Sequence, residues 1–130
     1  MIMLKNFIIT LIIFLGIDFV WLGFVARGFY KKELTAFSTT LNLPAAFLTY
    51  VLIAAGIVIF VLPKASGDIY KALLWGALFG LITYGVYDLT NLATLKGWSI
   101  KMLAVDILWG VFVCGMTSLL VTLILNKFAA

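Results

Sequence analysis

The chain has 130 residues, of which 65% are hydrophobic and only 11% are charged, whereas a soluble domain of this length carries about a quarter charged residues. Because one small core cannot hide so much apolar surface, the composition excludes an ordinary soluble domain and predicts an integral membrane protein with a single domain over residues 1–130. The net charge of +4 comes mostly from cations that flank apolar runs, which indicates contact with membrane lipids and excludes a nucleic-acid-binding surface.

Four apolar runs are each long enough to cross a bilayer as a helix of about 20 residues. They cover about residues 7–26, 44–62, 69–95 and 101–125. The first run is longer than the apolar core of a signal peptide and contains Asp18, so it is predicted to be a retained helix. The predicted fold class is therefore all-α: a polytopic membrane protein built as a four-transmembrane-helix bundle.

The second run has signals for its start and its end. Asn42 or Leu43 is expected to cap it, and Pro44 lies in the first turn, where the missing N–H does no harm. Pro63 is expected to close it. Between the first two runs, residues 27–43 carry apolar and charged side chains at helical spacing: Tyr30, Leu34 and Phe37 beside Lys31, Lys32 and Glu33. This pattern predicts a short amphipathic segment in the membrane interface, with a surface loop as the alternative.

The distribution of lysine and arginine leaves the membrane orientation open. With four spans, both termini lie on one side of the membrane, here called side A, and the opposite side is side B. The basic residues of side A are Lys5, Lys64, Lys71 and Lys127, and those of side B are Arg27, Lys31, Lys32, Lys96 and Lys101. Four against five gives almost no positive-inside bias, so insertion in both orientations is a possibility that the sequence retains.

Three of the five acidic residues, Asp18, Asp88 and Asp106, fall inside the predicted spans. Because the helices alternate in direction, a rise of 1.5 Å per residue places all three roughly 7–12 Å below the surface on side B. Asp18 and Asp106 also share the spacing D-x-x-W with Trp21 and Trp109, so each of these acids has an indole on its own helical face. Ionisable residues inside a membrane are costly, so this shared depth predicts a functional site.

Small residues predict where the helices approach most closely. Along the third span, one face carries two glycines followed by polar side chains: Gly76, Gly80, Tyr84, Asp88 and Asn91. The fourth span carries a matching stripe of small residues: Gly110, Cys114 and Ser118. Paired glycines four residues apart allow a neighbouring helix to come close. The two stripes predict a bundle that is closed towards side A and opens towards side B into a polar pocket.

The candidate ligand pocket consists of acids, aromatic side chains and one amide: Asp18, Trp21, Tyr84, Asp88, Asn91, Asp106 and Trp109. The candidate headgroup rim consists of Arg27, Lys96, Trp98 and Lys101. Such a ring is expected to bind a lipid or another amphiphile, with a phosphate at the basic rim and the acids beneath it. Because converging carboxyl groups repel one another, at least one is expected to keep a proton and could serve as an acid, a base or a proton carrier.

No catalytic residue is assigned, and no metal or cofactor is predicted, although three carboxylates at one depth leave Mg²⁺ or Ca²⁺ binding open, since both ions prefer oxygen ligands. The chain has no histidine and one cysteine, Cys114, which excludes an intrachain disulfide and a zinc site built from His and Cys. Each aspartate also has a purely structural explanation. These are, in chain order, a hydrogen bond from Tyr84 or Asn91 to Asp18, a bridge from Lys96 or Lys101 to Asp88, and a place for Asp106 at the start of the fourth helix. Trp21, Trp98 and Trp109 would then be interfacial anchors.

The stretches YDLTNLATLKGW and VDILWG, together with the D-x-x-W-L of the first span, resemble a bacterial family of small membrane proteins with four predicted helices and no assigned function. The resemblance spans essentially the whole chain, and YDLTN is its most specific part. It implies a multi-pass protein of the bacterial inner (cytoplasmic) membrane. It implies no activity, substrate or catalytic residue.

Three functional hypotheses follow from these patterns. The favoured one is a membrane protein that binds a lipid or another amphiphile and could act on it by acid–base chemistry, so enzymatic activity stays an open question. The first alternative is a small dual-topology, proton-coupled exporter that works as a homodimer. It is similar to the small multidrug transporters in length, in helix number and in the acid of the first helix, Asp18. The second alternative is a structural or assembly protein without a ligand.

Overall fold

A computed structural model describes residues 1–34 and 42–129 of the chain. Within these ranges the regular elements are all helical. Four stretches are long and apolar enough to cross a membrane: Ile2–Val25, Leu43–Ala65, Ile69–Thr94 and Ile100–Ala129. The prediction of an all-α, polytopic four-helix bundle is therefore confirmed. The four stretches overlap the four predicted spans, but the first begins at Ile2 instead of about residue 7 and the last ends at Ala129 instead of about residue 125.

The first two spans each change helix type along their length. Helix α1 covers Ile2–Val20 and continues as a π-helical turn over Trp21–Val25, and α2 follows at Arg27–Glu33. The second span consists of α3 (Leu43–Gly56), a π-helical turn (Ile57–Val61) and α4 (Leu62–Ala65). The third and fourth spans are the uninterrupted helices α5 (Ile69–Thr94) and α6 (Ile100–Ala129).

Side-chain caps explain where three of these helices begin. Oδ1 of Asp68 caps α5 by accepting hydrogen bonds from the backbone N–H groups of Tyr70 and Lys71. Oδ1 of Asn42 accepts a hydrogen bond from the backbone N–H of Ala45 at 3.1 Å, which confirms Asn42 as the cap of α3. Oγ of Ser99 accepts one from the backbone N–H of Met102 at 3.1 Å, at the start of α6. These bonds satisfy backbone donors that have no partner within the helix.

The prediction that Pro63 closes the second span is wrong, because the helix continues through it to Ala65. Proline has no N–H to donate to the carbonyl oxygen of Ile59, so an α-helical hydrogen bond is missing at this point. The turn before it widens instead, and the N–H of Leu62 donates to the carbonyl oxygen of Ile57, five residues earlier. The wider turn lets the helix pass the proline and end two residues later.

The segment between the first two spans was expected to hold a short amphipathic helix or a loop. Helix α2 occupies Arg27–Glu33, and its C-cap is Leu34. The helical part of the prediction is confirmed for these residues. Phe37, which completed the predicted apolar face, lies outside the described residues.

Helices α5 and α6 lie in very close contact through their small residues. A Cβ atom added to Gly76 would lie 2.6 Å from the carbonyl oxygen of Cys114, and one added to Gly80 would overlap the carbonyl group of Gly110. The predicted contact between the two stripes is therefore confirmed. The buried apolar core extends from the middle of the bundle towards side A and contains Phe14, Ile57, Val61, Val113 and Cys114.

Candidate functional site

Asp18 joins three helices through its carboxylate. Its Oδ1 accepts a hydrogen bond from Nε1 of Trp109 on α6 at 2.9 Å, and its Oδ2 accepts a short one from the hydroxyl of Tyr50 on α3. Only 6% of the Asp18 surface is exposed. The structural explanation for Asp18 named Tyr84 or Asn91 as the donor, and the observed donors are different. Both are neutral groups, so they orient the carboxylate without compensating a negative charge.

Asp106 ties the short helix α2 to the bundle. Its Oδ1 accepts a hydrogen bond from the hydroxyl of Tyr30 at 2.7 Å, and that hydroxyl accepts one from Nε1 of Trp21 at 3.2 Å. Burial and the neighbouring carboxylate of Asp106 raise the pKa of Tyr30 well above its ordinary value, because both disfavour the phenolate. Asp106 does not cap its helix, since α6 begins at Ile100 and its first turn is capped by Ser99.

The two D-x-x-W pairs interlock across the bundle. Each tryptophan is linked by hydrogen bonds to the acid of the other helix. Trp109 donates directly to Asp18, and Trp21 donates to the hydroxyl of Tyr30, which in turn donates to Asp106. The two indoles stack face to face, with ring centroids 4.3 Å apart and ring planes 7° apart. The repeated motif therefore joins α1 to α6, and the contact of each acid with an indole runs across the interface instead of along its own helix.

A cavity of about 360 Å³ lies beside this network, in the half of the bundle nearest side B. Five predicted pocket residues line it, namely Asp18, Trp21, Tyr84, Asp106 and Trp109, together with Phe14, Leu22, Tyr30, Ala46, Thr49, Tyr50, Ile53, Thr83 and Tyr87. Leu22, Thr49 and Tyr87 are exposed, so they mark its mouth. No lysine or arginine among the described residues lines the cavity.

Asp88 lies behind the cavity and is not part of its wall. It is fully buried, at 0% exposure, and its polar neighbours are the carboxyl group of Asp106 and the indole of Trp98. Neither carboxylate oxygen has a hydrogen-bond partner within the described ranges. The hydrogen-bonded bridge to Lys96 or Lys101 that was the structural explanation for Asp88 is therefore not formed. Asn91, which is half-buried, also lies outside the cavity wall.

The four candidate rim residues are divided between surface and interior. Arg27, Lys96 and Lys101 are exposed, and Nζ of Lys101 lies 5.8 Å from the centre of the Phe29 ring. Trp98 is buried, with 8% of its surface exposed, and lies next to Asp88. None of the four lines the cavity. The basic residues therefore belong to the outer surface near side B, and Trp98 belongs to the interior.

Tyr50 and Tyr30 were missed as pocket residues, although their hydroxyl groups hold the two acids that line the cavity. Tyr50 lies eight residues after Asn42, which begins α3 on side B, and is therefore at the depth of the acids. Matching the depth of polar aromatic residues to that of the acids would have found it. Tyr30 was assigned to an interfacial helix face, and only the folded position of α2 turns its hydroxyl inwards.

Within residues 1–34 and 42–129, no group of three His, Cys, Asp or Glu side chains is arranged to hold a metal ion. Asp18 and Asp106 instead direct their oxygens to phenol and indole donors. The arrangement can therefore hold a polar or charged group by hydrogen bonds and electrostatics.

A family model described as "Predicted membrane protein (DUF2177)" matches residues 3–123 of the chain. The match covers nearly the whole chain, which confirms the family resemblance that the sequence motifs indicated. Searches of curated proteins and of solved structures found no significant match.

Proposed function

This chain belongs to the DUF2177 family of predicted membrane proteins, and we propose that it binds one lipid or other amphiphile in the cavity between its helices. The observation that carries the proposal is a cavity of about 360 Å³ that combines two buried carboxylates with aromatic and aliphatic walls. Small-molecule sites are typically mostly apolar pockets of about 300–1,000 Å³ with a few placed polar groups.

The distribution of polar and apolar groups suits a ligand with two unlike ends. Asp18 and Asp106, held by tyrosine and tryptophan donors, provide the polar part, and side chains such as Phe14, Leu22 and Ile53 provide the apolar part. The volume lies at the lower end of the usual range, so the cavity suits a headgroup and the first part of a chain. The rest of a hydrocarbon chain would leave through the mouth and lie in the bilayer.

Binding alone requires no chemical step. Asp18 and Asp106 are nevertheless placed to exchange a proton with a bound group, because each faces the cavity and is hydrogen-bonded to a tyrosine hydroxyl. Acid–base chemistry on the ligand would extend the proposal.

The proposal is tested by filling the cavity. Ala46 lines it and is half-buried, and Ala45 on the same helix is exposed and does not line it. Native mass spectrometry of the protein released from mild detergent should show an amphiphile adduct on the wild type and on Ala45→Phe. The adduct should be lost from Ala46→Phe. Equal adducts on all three proteins, or none on the wild type, would contradict a ligand in this cavity.

A proton-coupled exporter is the second candidate, favoured by the buried carboxyl groups of Asp88 and Asp106 as neighbours. Ionisable side chains buried inside a membrane are candidate proton carriers, which proton-coupled transport requires. In this case Asp88→Asn should abolish efflux of a cationic dye from proteoliposomes driven by a pH gradient. Wild-type proteoliposomes that show no gradient-driven efflux would argue against the exporter and leave amphiphile binding unaffected.

A further inference from the structure

We propose that the group bound at Asp18 and Asp106 is a cation, either an ammonium or a quaternary ammonium head on an apolar chain. This inference rests on the proposed amphiphile site and names the class of head that the site accepts. The head could belong to a free amine amphiphile or to a zwitterionic phospholipid, and both would present the same positively charged nitrogen.

The first argument is the charge of the cavity wall. Asp18 and Asp106 are 6% and 8% exposed, so water screens them poorly. The hydrogen bonds described to them come from neutral phenol and indole groups, and no described lysine or arginine lines the cavity. A phosphate placed here would meet carboxylates without a cation between them, whereas an ammonium head would supply the missing opposite charge.

The second argument is the number of aromatic rings. Seven of the fourteen residues that line the cavity are phenylalanine, tyrosine or tryptophan. Aromatic faces attract cations through their quadrupole, and cages of such rings recognise quaternary ammonium and methylated amine groups. Carboxylates together with an aromatic wall favour a cation more specifically than either feature does alone.

The third argument is the position of the basic residues. Arg27, Lys96 and Lys101 are exposed and lie outside the cavity wall. The expected arrangement placed a phosphate at a basic rim above the acids. Among the described residues, the cavity wall contains the acids but no such basic rim. If the ligand is a zwitterionic lipid, its ammonium lies in the cavity and its phosphate lies outside it, near these cations.

The test compares four ligands that share the same decyl hydrocarbon chain and differ only in their head group. The full chain in dodecyl maltoside is titrated with decyltrimethylammonium, decylphosphocholine, decanol and decyl sulfate, and each complex is measured by native mass spectrometry. We expect the cationic probe, decyltrimethylammonium, to bind at least about tenfold more tightly than the anionic probe, decyl sulfate. A difference of this size is typical of one favourable interaction with a charged group. Comparable binding of decylphosphocholine would support a lipid headgroup as the source, and its absence would support a free amine.

Two carboxylate variants and one charge-matched control make the test specific. Asp18→Asn and Asp106→Asn should each weaken the cationic probe by about tenfold and change decanol binding little. Asp68→Asn removes the same charge at the start of α5, outside the cavity wall, and should have no effect. Using two separate aspartates protects the test against one variant that does not fold.

The two proposals fail in different ways. Decanol or decyl sulfate binding as tightly as the cation, in a manner that Ala46→Phe abolishes, would overturn the cationic head and leave the amphiphile site standing. If no probe forms a complex that Ala46→Phe abolishes, both proposals fall together.

Discussion

Asp18 and Asp88 are both buried aspartates, but they differ in the hydrogen bonds that their carboxyl groups accept. Asp18 accepts hydrogen bonds from Tyr50 and Trp109, whereas neither oxygen of Asp88 has a hydrogen-bond partner in the described part of the chain. A buried donor that loses its acceptor keeps the full desolvation penalty. Asp88 accepts no hydrogen bond in the described part of the chain and lies beside a second carboxyl group, that of Asp106, so removing its charge breaks no such bond. The two residues should therefore respond differently to the same substitution.

We expect Asp18→Asn to lower the free energy of unfolding by about 1–3 kcal/mol, because the amide nitrogen cannot accept the bond that one carboxylate oxygen accepts now. Asp88→Asn should leave stability unchanged or raise it, since it removes an ionisable group from a fully buried position. Thermal unfolding in detergent, followed by circular dichroism, measures both variants. A larger loss in Asp88→Asn than in Asp18→Asn would show that Asp88 has a structural bond absent from this arrangement.

The Tyr30 hydroxyl makes stability depend on alkaline pH. Burial and Asp106 raise its pKa in the folded protein, while a tyrosine in the unfolded chain ionises at about pH 10. The stabilisation from this group is therefore complete below about pH 10 and is lost as the pH rises above it. Between about pH 10 and about pH 12, wild type should lose stability more steeply than Tyr30→Phe. Chemical unfolding of both proteins across this range provides the measurement, and parallel pH profiles would contradict the prediction.

At the scale of helices, the contact between α5 and α6 depends on glycine at particular positions. A Cβ on Gly80 would overlap the Gly110 carbonyl and lie 3.0 Å from the Cβ of Cys114, and backbone atoms cannot move aside as a flexible side chain can. Gly85, on the same helix, has nothing within 4 Å of an added Cβ. The first glycine is required by packing and the second is not.

Gly80→Ala should therefore destabilise the protein by about 1–3 kcal/mol through overpacking. Gly85→Ala should be neutral or should stabilise it by up to about 1 kcal/mol, because alanine favours the helix more than glycine does. Melting temperature and monodispersity in detergent measure both variants. Equal effects of the two substitutions would mean that helix propensity, and not the α5–α6 contact, determines the result.

The four membrane-spanning helices could be predicted from the sequence, but the π-helical turns within them could not. The spans follow from runs of apolar residues, and the α5–α6 contact follows from glycine spacing, because both are properties of single helices. The π-helical turns at Trp21–Val25 and Ile57–Val61 have no comparable pattern. Pro63 predicted a disturbance, but only the fold determines whether a helix stops at a proline or widens before it.

At the scale of the whole molecule, depth in the membrane predicted much of the site. Five of the seven candidate pocket residues line the cavity, because residues at one depth on neighbouring helices come together in a bundle. Depth does not determine which way a helix faces after packing. Asp88 consequently lies behind the cavity wall. The two acids in the wall, Asp18 and Asp106, accept hydrogen bonds from Tyr50 and Tyr30, which lie on other helices.

Orientation in the membrane is a property of the whole chain and bears directly on the exporter alternative. Side A carries four lysines, and side B carries five basic residues, so both orientations should be found in cells. Changing Lys31 and Lys96 to glutamine leaves three basic residues on side B and should move the C-terminus, on side A, towards the cytoplasm.

A pair of C-terminal reporters, one active only in the cytoplasm and one only outside it, measures this shift in bacterial cells. Glu33→Gln changes the net charge but not the count of lysine and arginine, so it is the control and should leave the ratio unchanged. One orientation in the wild type that the double substitution does not alter would contradict the prediction. It would also remove the exporter built from antiparallel copies, while leaving the amphiphile site to be decided by its own probes.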